Sequence, residues 1–311
     1  MDTANQVRRG KMPRTLQAAG VLASLVITAA CTAQSAAAPG PASRSSAAVR
    51  ARASATAARP AGPATPVDSG PPRITFAQVR TADGSVVTLA TFHGAVRYVL
   101  HNGSQDPGPA YARLVQAGPA VTGPERQHLL AAFNGGFKMR SRAGGYEQEG
   151  HVFRALRTGL ASLVIDRSGR VRIGVWGAGM PAPGEAVYSV RQNLWPLVSS
   201  GQPTAQSARW QRWGGTVGHA EYVARSALGQ NAAGDLIFAA SMSTTPADLA
   251  SALARSGARI AMELDINQEW VQLDTAARPG GPLTASVPGQ VRPASQYLTG
   301  WTRDFFTVLA P

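Results

Sequence analysis

Glu263 and Asp265 are the residues whose type and spacing point most directly to chemistry. They stand two positions apart at the end of an apolar run, so strand geometry carried through both would turn both carboxylates to one face. Two carboxylates on one face can divide acid, base and nucleophile roles in glycoside cleavage. The competing assignment is structural, with Glu263 paired to an arginine and Asp265 capping the next turn. Asn134-Gly135-Gly136 is a second candidate. Consecutive glycines after a strand let backbone approach a ligand closely, and Asn supplies a directional amide, although an ordinary tight turn has the same composition. Arg225 is a third candidate, because a guanidinium recognises phosphate bidentately, while most arginines of such an Arg-rich chain face solvent.

Other chemistries are excluded or weakly supported. Cys31 is the sole cysteine, which rules out a disulfide framework, a thiolate zinc site and an iron–sulfur cluster. Lys11 and Lys138 are the only lysines, and neither lies in a G-x-x-x-x-G-K loop. No G-x-S-x-G or H-E-x-x-H occurs. The alternation Glu263, Asp265, Asn267 lacks the glycine of a calcium loop, and the five histidines show no metal-ligand spacing. No metal and no cofactor is expected. His151 and His219, each following a glycine, are the histidines best placed for a site in loops. Trp176, Trp195, Trp210 and Trp213 could pave a sugar-binding surface or fill a core.

These residues need elements to position them. Val86–Phe92 and 96–101 read as strands joined by His93-Gly94 in a hairpin. The run 129–133 is a buried strand ending at Asn134, and 163–166 with 171–176 flank a second hairpin turn. A strand over 235–241 precedes Thr245-Pro246, an N-cap followed by proline at the first helical position. Leu249, Ala250, Leu253 and Ala254 then form an apolar stripe at helical spacing, Gly257 stops the helix, and 259–264 is another strand. That order predicts a βαβ unit with parallel strands. The fold class expected is α/β, α+β-like: a single domain over 73–311 with a mixed sheet, early hairpins and the C-terminal βαβ unit. Asp265 would lie at the carboxyl end of the second strand, where open α/β sheets place their sites.

The net charge of +13 does not imply nucleic acid. Residues 73–311 hold 22 Lys and Arg against 15 Asp and Glu, scattered rather than gathered into a groove interleaved with aromatics. No nucleic-acid partner is expected, whereas attraction to anionic substrates or envelope polymers fits the balance. Much of the excess lies before residue 73. Residues 1–14 form a basic n-region and 15–33 an apolar signal or anchor segment. The segment would act as a membrane anchor, as a lipidation signal at Cys31 or as a secretion signal. Each route puts the following domain outside the cytoplasm. Residues 34–72, rich in Ala, Pro and Ser, cannot bury enough apolar surface to order themselves and read as a linker.

The order of the motifs resembles the phosphodiester glycosidase family, of the uncovering-enzyme type, in a divergent bacterial-type form. The shared pieces are Asn134-Gly135-Gly136-Phe137, Leu197-Val198-Ser199-Ser200-Gly201, Arg225-Ser226-Ala227-Leu228-Gly229, the Thr245-Pro246 helix start and Leu264-Asp265. The resemblance covers roughly 129–270 and implies hydrolysis of a sugar-1-phosphodiester or a related envelope glycan. It implies that Asn134, Gly135 and Gly136 line the pocket, that Arg225 holds the phosphodiester and that Asp265 is the acid nearest the reacting carbon. One departure stands out: the family's Gly-Gly-Gly-Ser after the Asp is replaced by Ile266-Asn267-Gln268-Glu269. Side chains there hinder backbone approach to an anion, and Glu269 adds negative charge. Either Asn267, Gln268 and Glu269 serve a different substrate, or the hydrolytic site is lost and the domain binds an anionic glycan without cleaving it. Lys138, in place of an aromatic, favours an anionic ligand in both cases.

Overall fold

Most of the apolar runs become strands that are buried on both faces, and the side on which each residue falls sets the architecture. The computed structural model describes residues 73–214 and 218–311. The n-region, the apolar segment and the linker expected over 1–72 lie outside the described residues. Among the described residues, no helix is long and apolar enough to cross a membrane.

Three sheets of seven, six and five strands make up the fold. The seven-stranded sheet runs Ile74–Arg80, Val86–Phe92, Leu236–Thr244, Val223–Asn231, Ala258–Glu263, Pro196–Ser199 and Gln202–Pro203. The five-stranded sheet centres on Leu129–Asn134 between Leu273–Ala276 and Phe305–Leu309. Along Leu236–Thr244 the side chains alternate: Leu236, Phe238 and Ala240 join the central core, while Ile237 and Ala239 meet the helix Pro246–Arg255. Phe133 of the five-stranded sheet packs on Phe92 and Phe238 of the seven-stranded one, with ring centroids 5.9 and 5.4 Å apart, and stacks on its sheet neighbour Phe306 at 5.4 Å. Tyr146, Leu163 and Ile173 of the six-stranded sheet complete the same core.

The helix forms where its signals predict. Thr245 Oγ1 accepts from the Asp248 N–H at 3.1 Å, Pro246 opens the first turn, and Leu249, Ala250 and Leu253 are fully buried. The strands on either side of the helix run parallel, but Val223–Asn231 lies between them and pairs antiparallel with both. The βαβ unit is therefore split by an inserted strand. Gly229 on that strand explains how closely the helix sits, since a Cβ there would come within 2.8 Å of Ala258 Cβ and 3.1 Å of Leu253.

One expected hairpin does not form. Val86–Phe92 pairs with Ile74–Arg80 and Leu236–Thr244, whereas Arg97–His101 pairs with Phe305–Leu309 in a different sheet. Both sides of Val86–Phe92 are taken by other strands, so the sharp turn at Gly94 passes the chain between sheets instead of folding it back. The second hairpin, Ala161–Ile165 with Val171–Trp176, forms in antiparallel register. Removing the cap with Thr245→Ala should lower unfolding free energy by about 1 kcal/mol. Gly229→Val, which overpacks the helix against the sheet, should cost about 1–3 kcal/mol. Urea unfolding of the two variants checks the order.

Candidate active site

The glycines of Asn134-Gly135-Gly136 are required by buried charges. Asp304 Oδ2 accepts from Arg191 Nε at 2.7 Å and from the Gly136 N–H at 3.2 Å, and both charged side chains are about 1% exposed. A Cβ on Gly135 would lie 2.1 Å from that carboxylate oxygen, and one on Gly136 would lie 2.9 Å from the Arg191 guanidinium carbon. Arg191 also donates to the Phe137 carbonyl at 2.6 Å, so the ion pair holds the loop after the strand Leu129–Asn134. Asn134 faces inward, donating to Ser226 Oγ and accepting from the Gln272 N–H.

Arg303, next to Asp304, faces a cleft. Its Nη2 donates to the Gly136 carbonyl at 2.7 Å and to Asp265 Oδ2 at 3.0 Å. Its Nε lies 3.3 Å from Asp106 Oδ2 but is buried without a hydrogen-bond acceptor, because that approach is misaligned. Asp265 Oδ1 accepts from the Ile266 N–H at 2.8 Å. The cleft encloses about 1000 Å³, and Asp265, Arg303, Lys138, Arg140, Arg212 and Trp270 are among its lining. Asp265 is the only carboxylate in that lining among the described residues. Trp270 gathers the cations: Lys138 Nζ is 4.9 Å from its ring centre and the Arg303 guanidinium 5.0 Å. Phe137, Ala143, Val223 and Ile266 form an apolar cluster, three of whose members line the cleft.

Burial pushes the Asp265 carboxyl up to about 6, against the opposing pull of Arg303 and the Ile266 N–H. Burial also raises Asp106, reinforced by Asp304. A cleft carboxyl that titrates near neutral pH has the properties of a group able to take up and release a proton there.

Glu263 is not beside Asp265 in the cleft. The strand Ala258–Glu263 ends at Glu263, whose side chain is fully buried on the helix side of the sheet. There it accepts from Arg225 Nη1 at 2.8 Å. The expectation of two carboxylates on one face fails because strand geometry stops before Asp265, whose backbone is tied to Ser226 instead. Burial raises Glu263 to about 7, partly offset by Arg225, and its Oε2 has no hydrogen-bond partner. Arg225 is equally enclosed. It donates to Glu263 and to the carbonyls of Thr244, Trp213 and Glu221, and it does not line the cleft.

Of the remaining candidates, Lys138 and Asn267 line the cleft. Glu269 does not, because it is drawn to Arg292 at 2.7 Å, and Asn267 Oδ1 accepts from the Glu269 N–H. Trp213 is buried and packs edge-on against Trp195; the aromatic wall is Trp270 instead. His151 stacks on Phe153, and neither it nor His219 lines the cleft. Arg191, Arg303, Asp304, Asp106 and Trp270 carry no motif. The available signal was Arg303-Asp304 at the threshold of the largely apolar, fully buried strand Phe305–Leu309, where opposite charges must find partners.

The sequence matches no family model and no curated relative. The fold is shared with a solved structure. The catalytic domain of zebrafish N-acetylglucosamine-1-phosphodiester alpha-N-acetylglucosaminidase, auto-inhibited by its pro-peptide, is 15% identical, with a TM-score of 0.51 over 78% of this chain and 85% of that one. A hypothetical protein from Synechocystis is 14% identical with a TM-score of 0.43, over 76% of this chain and 62% of that chain. At such identities the similarity to the zebrafish domain is one of fold.

Because Arg225 and Glu263 bury opposite charges against each other, Arg225→Ala should destabilise the protein by about 3–5 kcal/mol by leaving a carboxylate unpaired. The raised carboxyls also set a pH dependence. Asp265 at about 6, with Glu263 and Asp274 at about 7, bind protons more tightly folded than unfolded. Their stabilising contribution is complete below about pH 4 and is lost as pH rises through about 7. Unfolding free energy should therefore fall across that window, and Asp265→Asn should flatten its lower half in denaturant titrations.

Proposed function

We propose that the protein is an extracytoplasmic hydrolase that cleaves a sugar-1-phosphodiester or a related envelope glycan in the cleft beside Asp265. The observation that carries this reading is the contact of Asp265 with Arg303 on the wall of a cleft whose other charged lining residues, among the described residues, are all cations. In this role Arg303, rather than Arg225, holds the phosphate, since the Arg225 guanidinium is committed to Glu263 and three carbonyls. Nη1 of Arg303 has no hydrogen-bond partner among the described residues.

The chemistry needs only one carboxylate. Cleaving the sugar–oxygen bond of a phosphodiester releases a phosphate monoester, which is stable as an anion. Its departure is assisted by positive charge more than by a general acid. Arg303 and Lys138 supply that charge, and Asp265 faces the oxocarbenium-like carbon or activates the water that attacks it. The fold shared with a phosphodiester glycosidase supports the assignment. The basic and apolar N-terminal segments and the Ala/Pro-rich stretch after them support export, followed by anchoring, lipidation or release.

Two observations favour a second reading, a domain that binds an anionic glycan without cleaving it. Both Asp265 oxygens already accept hydrogen bonds, and Ile266 fills an apolar cluster where an anion would need free backbone amides. The Asp265→Asn variant separates the readings. For a hydrolase, release of free sugar from a glycosyl-1-phosphodiester should fall at least ~100-fold, and wild-type turnover should rise with pH through about 6 as Asp265 ionises. For a binding domain, no sugar is released by either protein and only affinity changes.

A further inference from the structure

The charges around the cleft do not balance for a substrate with a single phosphate. Arg303 is neutralised within the protein by Asp265 and Asp106. Lys138, Arg140 and Arg212 also line the cleft, and none of them forms an ion pair among the described residues. Two of these cations are held in place. Lys138 sits over Trp270, and the Arg212 guanidinium lies 4.8 Å from the Trp195 ring centre, with Nη1 donating to Gln206 at 3.1 Å. They come from two separate segments, the loop after Gly136 and the short 3₁₀ helix Trp210–Arg212.

Like charges gathered around one concavity repel one another unless a ligand brings compensating charge. The cleft volume of about 1000 Å³ also lies at the upper end of the ~300–1,000 Å³ range that accommodates small ligands. Resting on the reading of the cleft as a glycosyl-phosphodiester site, we infer that its substrate is an oligomer of repeating glycosyl phosphates. The unit beside Asp265 is the one cleaved, its phosphate against Arg303 and Lys138, and phosphates of neighbouring units lie against Arg140 and Arg212. Arg140 and Arg212 then select chain length and charge and take no part in bond breaking.

Equilibrium binding of glycosyl-1-phosphate oligomers of one to four repeats to the full chain at low salt tests the inference, alongside hydrolysis of the same oligomers. Arg140 and Arg212 are exposed, so Arg140→Ser/Arg212→Ser should fold normally. If each extra pair contributes like a partly exposed ion pair, four repeats should bind about tenfold more tightly than one. The advantage should shrink with added salt and be mostly lost in the double variant. Equal affinity for one and four repeats, or a length dependence untouched by the double substitution, would overturn it. Cleavage of a single-repeat diester reports on the hydrolase reading separately, so either idea can fail while the other stands.

Discussion

The buried ion pair between Arg191 and Asp304 is the contact around which the cleft is organised. Two charges out of water demand a complete set of partners, and Asp304 meets that demand from Arg191 and the Gly136 N–H. That arrangement permits no Cβ at residues 135 and 136, and it fixes the Phe137 carbonyl against the guanidinium. Arg303 immediately precedes Asp304, so the same pair sets the direction in which Arg303 points just before the strand Phe305–Leu309. Its Nη2 then reaches both the Gly136 carbonyl and Asp265. The cleft carboxylate is thereby linked through one arginine to a charge pair inside the protein.

Two ion pairs near Asp265 do different work. Arg225 and Glu263 lock the seven-stranded sheet on the side that carries the helix, where both are closed to ligand. Arg303 and Asp265 lie at the cleft, where burial holds the carboxyl close to neutrality and surrounding cations favour an anion. A residue pattern alone does not distinguish these roles, because both sites combine Arg with an acid at the end of a strand. The distinction rests on where the strand Ala258–Glu263 stops.

Much of the scaffold was legible because it follows local rules. The Thr245-Pro246 cap, the stripe through Leu249 and Leu253, and the turn between Ala161–Ile165 and Val171–Trp176 each depend on neighbours in sequence. The pairing of Val86–Phe92 was not legible, since its partners lie before it and some 150 residues beyond it. Asp265 was singled out by type and position, and Lys138 and Asn267 by their departure from the motifs of the family the chain resembles; all three line the cleft. Arg303 and Trp270 were missed because their meaning arises only when the strand Phe305–Leu309 docks beside Leu129–Asn134. The glycines of Asn134-Gly135-Gly136 were read as sites of close approach to a ligand; in the fold they are closely approached by Asp304 and Arg191, and they are not in the cleft lining.

The measurement that bears most directly on the account is a crystal structure with a non-hydrolysable glycosyl phosphonate bound. Phosphonate oxygens are expected on Arg303, with the anomeric carbon facing the Asp265 carboxyl and Trp270 beside the ligand. A phosphonate seated away from Arg303, or a sugar whose anomeric carbon lies out of reach of Asp265, would contradict it.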